Sequence, residues 1–220
     1  INEMAHRYGK KANVSVRINP DIDAHTHKYV TTGLYENKFG ISQHEFEKLI
    51  EIIGKSEYIN FIGLHFHIGS QITRVDEVYA LECQRVNEIV AYFERQGLKV
   101  ENINLGGGLG VDYDDPDENP IADFETWFKT IAENINRRED QSVHIEPGRS
   151  LVAQCATLIS RVLFVKSGET KNFLIMDAGM NDLIRPALYG AYHKIENLSA
   201  EMRTFFPTHQ AYDTVGPVFD

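Results

Sequence analysis

Glu146, Pro147, Gly148 and Arg149 close a short, apolar-leaning run from Ser142 to Ile145. The run reads as a strand. Pro147 stops it, having no N–H for a sheet ladder, and Gly148 lets the backbone turn and come close to a partner. A carboxylate and a guanidinium at a strand's C-terminal end stand where barrel and open-sheet enzymes keep their chemistry. A glutamate buried there needs a partner, because an unpaired buried charge is costly. Arg149 is one partner. The protonated nitrogen of a heterocyclic ligand is the other, and it would leave Arg149 for a phosphate or carboxylate, which a forked guanidinium fits. A plain strand, turn and surface ion pair is equally compatible with these residues.

Other strand ends carry similar material. Gly106, Gly107 and Gly108 follow the run Val100 to Leu105 and offer successive backbone N–H groups with no Cβ in the way. Such a loop suits an anion, but neither Walker nor Rossmann spacing is present, and a tight turn is the better reading of the triplet alone. His65 and His67 end the run from Ile59 and share a strand face. They are a metal pair, or one core and one site histidine; the absence of a third ligand at obvious spacing favours the second. Ser70, just past Gly69, is placed to offer its hydroxyl to the same anion. Arg185 and Tyr189 lie four apart, on one face if helical. They read as a solvated turn or as a clamp for a substrate carboxylate.

The elements that must position these groups alternate. Strand patterns over Ala12 to Asn19, Ile59 to His67, Val100 to Leu105 and Ser142 to Ile145 are separated by helical patterns. The helices run from Ser42, a capping box with Glu45, to Lys55; from Val75 to Gln96; and from Ile121 to Arg137. Val78, Leu81, Val86, Ile89, Val90 and Phe93 form the apolar stripe of the second, and Gly97 is its C′ residue. A helix also covers Ile1 to Tyr8. The polar loop Asp21 to Asn37 is long enough to be functional or mobile. This alternation predicts an α/β fold with a parallel sheet covered by helices, and strands of similar length favour a barrel. After Ser150 the pattern changes. Leu151 to Val165 and Asn172 to Met176 read as strands joined by the turn 166–170, the start of a β-domain. The expectation is an incomplete (β/α)8 barrel over 1–149 and part of a C-terminal β-domain over 150–220.

The chain has 220 residues, 42% hydrophobic and 25% charged, with a formal net charge of −10. An acidic balance argues against nucleic acid as a partner. No apolar run has membrane-spanning length, and the first residues do not resemble a signal peptide. Cys83 and Cys155 form no CxxC pair and are expected as buried free thiols of a reducing, cytoplasmic compartment. The start within a helix and the stop at Val218-Phe219-Asp220 suggest a piece of a longer polypeptide.

The glycine triplet, the His-x-Gly-Ser strand end and Glu-Pro-Gly-Arg, in this order, resemble the pyridoxal-phosphate enzymes with an alanine-racemase-like barrel. Arg17-Ile18-Asn19-Pro20, Lys38-Phe39-Gly40, Gly63 to Gln71 and Arg185 to Tyr189 are most similar to the diaminopimelate decarboxylases among them. The resemblance implies that Glu146 faces the pyridine nitrogen and that His67 stacks on the ring. Ser70, Gly106, Gly107, Gly108, Pro147, Gly148 and Arg149 would hold the cofactor; Arg149, Arg185 and Tyr189 would grip substrate carboxylates. It implies a homodimer with shared sites and decarboxylation of meso-diaminopimelate to L-lysine; no metal is expected, from the ligand spacing above. The family's Schiff-base lysine would lie before Ile1, and its Cys-Glu pair is not found after Gly216-Pro217, so the sequence as given is expected to be inactive. Ornithine, arginine or carboxynorspermidine decarboxylation and a non-catalytic binding homologue are the alternatives.

Overall fold

The structure is a computed structural model and describes residues 1–22, 38–199 and 210–217. The loop expected over Asp21 to Asn37 falls almost wholly outside these. Two compact units are formed, Ile1–Val111 with Pro120–Ala153, and Asp112–Asn119 with Gln154–Asp220.

In the first unit, helix α1 (Asn2–Arg7) precedes strand β1 (Ala12–Arg17), and α2 (Phe46–Lys55) leads to β2 (Ile59–His65). Helix α3 (Val75–Arg95) then leads to β3 (Asn102–Asn104), and α4 (Phe124–Asn134) to β4 (Ser142–His144). The four strands pair in parallel in the order of the chain. Sequential parallel strands with a helix in each crossover are the growth pattern of a (β/α)8 barrel, so the α/β, partial-barrel expectation holds.

Register decides which side chains share a face of this sheet. Arg17, His65, Asn104 and His144 stand level across it. Val16, Leu64, Ile103 and Val143 are level one residue earlier, on the opposite face. That apolar face packs under the helices, where Leu64, Ile103, Val86, Phe93 and Trp127 share one core. The alternation seen in the sequence is therefore an outer apolar face and an inner polar one.

Details of the helices differ from expectation. Ser42 makes no side-chain cap, and a 3₁₀ turn, Gln43–Glu45, replaces the capping box before α2. Asp123 caps α4, accepting from the Thr126 amide at 3.0 Å. The helix stops at Asn134 because Ile135 is extended and Asn136 donates its N–H to Asn87 Oδ1 at 2.8 Å. Gly97 follows the α3 cap at φ +84°, as a C′ glycine should. Leu81, placed in the buried stripe by pattern, is 48% exposed. The phase of α3 is set by Val75, Val78, Val86, Ile89 and Phe93, and it turns Glu82 inward instead. Glu82 is fully buried, with both carboxylate oxygens unpartnered among the described residues, and burial drives its pKa well above the usual range.

In the second unit the sheet joins β5 (Val162–Ser167), β6 (Asn172–Met176) and β7 (Asp213–Val215) in that order, antiparallel then parallel. Gly168 donates to the Lys171 carbonyl at 2.9 Å to close the hairpin. The strand expected from Leu151 is shorter than drawn. Residues Arg149–Val152 form a single helical turn, α5, and extended pairing begins only at Val162. There Asp177 accepts from Ser160 Oγ and the Arg161 amide. Cys83 is buried as expected, whereas Cys155 is exposed in the irregular stretch between α5 and β5. Helix α6 (Arg185–Tyr189) ends at Gly190, which is left-handed at φ +60°. Among the described residues no helix is long and apolar enough to cross a membrane.

The core arrangement gives a paired expectation. Phe93→Ala lowers unfolding free energy by about 3–5 kcal/mol, while Leu81→Ala changes it by at most about 0.5 kcal/mol, as read from denaturant midpoints. Glu82 gives a signed one. The folded state keeps its proton where the unfolded chain ionises, so stability drains away as pH rises above the ordinary value of 4.5. Glu82→Gln therefore raises Tm at neutral pH and leaves it unchanged below that value.

Candidate active site

Strands β2, β3 and β4 end at one level, so the loops 66–71, 105–111 and 145–150 leave the sheet side by side. Backbone bonds stitch them together. Phe66 N–H donates to the Asn104 carbonyl at 2.7 Å, Leu105 N–H to His144 at 2.9 Å, and Glu146 N–H to Gly106 at 2.6 Å. Ile72 and Leu109 form a further parallel bridge beyond the strands. Glycine is obligatory where the loops meet. A Cβ on Gly106 would strike the Phe66 carbonyl, one on Gly107 the Glu146 carbonyl, and one on Gly108 the Gly69 carbonyl. The triplet's amides are partly engaged within the site as well. Gly106 N–H donates to Asn104 Oδ1 at 2.8 Å, and Gly107 N–H to His67 Nδ1 at 3.2 Å.

Glu146 is not buried; its side chain is 51% exposed. Arg149 is not its partner. Asn104 Nδ2 donates to Glu146 Oε1 at 2.8 Å, and His65 Nε2 stands 3.5 Å from Oε2, an electrostatic contact rather than a formed hydrogen bond. Arg149, the first residue of α5, donates from Nη1 to Gln71 Oε1 at 2.8 Å. Gln71 also donates to the Val111 carbonyl at 2.6 Å and accepts from the Val111 amide at 3.3 Å. It holds φ +63°, a left-handed conformation costing a non-glycine residue about 1–2 kcal/mol, and such strain collects at functional sites.

His65 and His67 are half-buried, with Arg17 beside them. Arg17 Nη2 reaches the His67 carbonyl at 3.5 Å, and its guanidinium lies 4.8 Å from the Phe39 ring centre. Burial lowers both imidazole pKa values. For His65, Glu146 opposes that shift and Arg17 adds to it. For His67, Arg17 and then His65 add to burial, and Glu146 opposes. Burial also lowers the Arg17 pKa. Among the described residues no cluster of His, Cys, Asp or Glu could hold a metal ion.

Ser70 lies half-buried between Gly69 and Gln71, and Pro147 is half-buried after Glu146. Open space surrounds the Gly148 Cα where a Cβ would project. The Ser150 hydroxyl is buried with no partner among the described residues. The structure thus brings His67, the glycine triplet, Glu146 and Arg149 together. It sets His65, one of the two paired histidines, beside Glu146, and it adds Arg17, Asn104 and Gln71, whose part in the site spacing alone did not disclose; Asn104, a polar residue on the short strand β3, was the readable signal.

Arg185 and Tyr189 belong to the second unit. The Arg185 guanidinium lies 4.9 Å from the Tyr113 ring centre and 5.6 Å from that of Tyr189. Its Nε donates to His193 Nε2 at 3.4 Å, and His193 meets Tyr113 edge to face at 5.0 Å. Tyr113 and His193 are additions, and nothing in sequence spacing linked 113 to 185.

Residues 1–153 match the family described as pyridoxal-dependent decarboxylase, pyridoxal binding domain. The chain belongs to that family, as its motifs implied, and pyridoxal phosphate is the cofactor its site must fit. Diaminopimelate decarboxylase of Bacteroides thetaiotaomicron is 51% identical over 218 residues, covering 99% of this chain and 55% of its own length. The structure of diaminopimelate decarboxylase from Helicobacter pylori complexed with L-lysine aligns with a TM-score of 0.83 at 37% identity, over 100% of this chain and 52% of that one. The enzyme from M. jannaschii in co-complex with L-lysine gives 0.81 at 33% identity, over 100% and 50%. The chain spans about half the length of the curated relatives it matches.

The lowered histidine pKa values carry a pH expectation. The unfolded chain takes up these protons near the ordinary value of 6.5 and the folded one only at lower pH. The unfolded state therefore binds more protons as pH falls, and stability present above 6.5 is lost on acidification below it. A His65→Asn/His67→Asn double variant shows a shallower fall of Tm below that pH than the parent.

Proposed function

We propose that the intact protein decarboxylates meso-2,6-diaminopimelate at its D-centre to give L-lysine, using pyridoxal phosphate. The observation that supports this best is Glu146, oriented by Asn104 and flanked by His65 and His67, at the meeting of glycine-built strand-end loops in a pyridoxal-binding domain. The residues present fit the cofactor. A buried, unpartnered Ser150 hydroxyl and the open space at Gly148 suit a phosphate, and a carboxylate held by a neutral amide suits a ring nitrogen.

When bound, the cofactor supplies an electron sink for the electron pair released as CO₂ departs. Glu146 would keep the pyridine nitrogen protonated, because an anion beside a base favours its charged form. His67, held neutral by burial and by Arg17, would offer its flat face to the ring. Ser70, Gly106, Gly107, Gly108, Pro147, Gly148 and the Arg149 main chain would line the cofactor, and Ser150 joins that set. Arg149, Arg185 and Tyr189 would bind substrate carboxylates, so that shorter amino acids lose positioning energy. A guanidinium at 185 disfavours a cationic substrate tail. A homodimer with shared sites, a cytoplasmic location and a division near residue 149 go with this reading.

Assay of the intact protein should give lysine and CO₂ from meso-diaminopimelate. Putrescine from ornithine alone, or no absorbance band from bound cofactor, would overturn the reading. Glu146→Gln should cut kcat by about 100-fold or more while cofactor affinity is kept; unchanged turnover removes Glu146 from the role.

A further inference from the structure

We propose that Tyr79 is a positioning residue that sets the orientation and tautomer of His67 through Gly107. Tyr79 sits early in α3, fully buried, with its ring centre 5.5 Å from that of Trp127. Its hydroxyl crosses to the strand-end loop and donates to the Gly107 carbonyl at 3.1 Å. Burial, reinforced by Glu82, holds the phenol protonated, so it remains a donor at every working pH. Gly107 is therefore held at both ends, its carbonyl by Tyr79 and its N–H by His67 Nδ1 at 3.2 Å. A glycine flanked by glycines has no side chain to fix its dihedrals, and here the Tyr79 hydroxyl supplies that restraint.

The consequence falls on the imidazole. An N–H pointing at Nδ1 requires a lone pair there, so the proton of neutral His67 resides on Nε2. Protonating Nδ1 would set two N–H groups head to head. Among the described residues, the charged and titratable groups facing His67 are Arg17 from β1, His65 from β2 and Glu146 beyond β4, and of these Glu146 favours the imidazolium. Under the proposed function a neutral ring against a protonated pyridine avoids like-charge repulsion, and the inference rests on that reading only for its catalytic consequence.

The test uses the intact, cofactor-loaded protein, with ¹⁵N-labelled histidine and glycine. In the parent, a through-hydrogen-bond ¹⁵N–¹⁵N coupling joins Gly107 N to His67 Nδ1, and His67 is the Nε2–H tautomer. Tyr79→Phe keeps the ring packing and removes one donor. It should abolish the coupling, mix the tautomers, raise the His67 pKa and lower kcat about 5- to 10-fold with KM unchanged, a modest loss expected when a catalytic group is misoriented. Val78→Ala, a buried change on the same helix, should lower Tm and leave coupling and tautomer intact. If Tyr79→Phe lowers Tm alone, with His67 unchanged, Tyr79 is only core and the proposal fails. Should that variant not fold, absence of the coupling in the parent overturns it. Intact coupling in a protein that releases no lysine supports the positioning role and sinks the substrate reading separately.

Discussion

The three strand-end loops approach so closely that only backbone fits between them. Gly106, Gly107 and Gly108 each face a carbonyl, of Phe66, Glu146 and Gly69 respectively, across a gap that no Cβ could share. This steric constraint comes first and the chemistry follows from it. Because the loops interlock, Glu146 emerges beside His65 and His67 rather than one loop away. Because they interlock again through Ile72 and Leu109, Gln71 is driven into a left-handed conformation and its amide becomes the bridge between Val111 and Arg149. On spacing alone a tight turn was the better reading of three glycines in a row, and the phosphate role came only with the family resemblance. Their first requirement is packing, and any anion they meet is met by a surface already shaped by it.

Below the loops the strands have two faces. Val16, Leu64, Ile103 and Val143 look outward into the helices, while Arg17, His65, Asn104 and His144 look inward in one row. This division was legible in the sequence, since alternation at period two survives in even the three-residue strands β3 and β4. The helices were legible too, by the same logic at period 3.6. Their ends were not. Nothing local distinguishes a Ser42 that caps from one that merely precedes a 3₁₀ turn, and the phase of α3 depends on the whole stripe, so a single leucine at 81 misled where a glutamate at 82 is the buried one. After Ser150 the sequence favoured strand and the chain made a helical turn, α5, because the start of a strand there has no partner to pair with until Val162 meets Met176.

The site divides along the same line. Residue types announced themselves: glutamate after a strand, paired histidines, an arginine after glycine. Partnerships did not, because they arise from register between strands 40 residues and more apart, as in Asn104 with Glu146. Spacing along the chain made Arg149 the obvious companion of Glu146, three residues on. The turn at Gly148 sends that guanidinium to Gln71 instead.

That exchange of partners has a chemical meaning. A guanidinium paired with Glu146 would orient the carboxylate and cancel its charge in one stroke. An amide orients without cancelling. Asn104 grips Oε1, and its own Oδ1 takes the Gly106 N–H, so the same side chain ties the anion to the glycine triplet. His65 stands at the other oxygen, and burial together with Arg17 keeps it neutral. The half-exposed carboxylate is thus fixed in direction with no guanidinium paired to it, the arrangement that the proposed place beside a ring nitrogen calls for. The positive charges of Arg17 and Arg149 are held nearby but are committed elsewhere, to the His67 carbonyl and to Gln71. At these strand ends, in contrast to the ion pairs formed elsewhere in the unit, Glu146 and the two guanidiniums are each oriented by neutral groups rather than paired with one another.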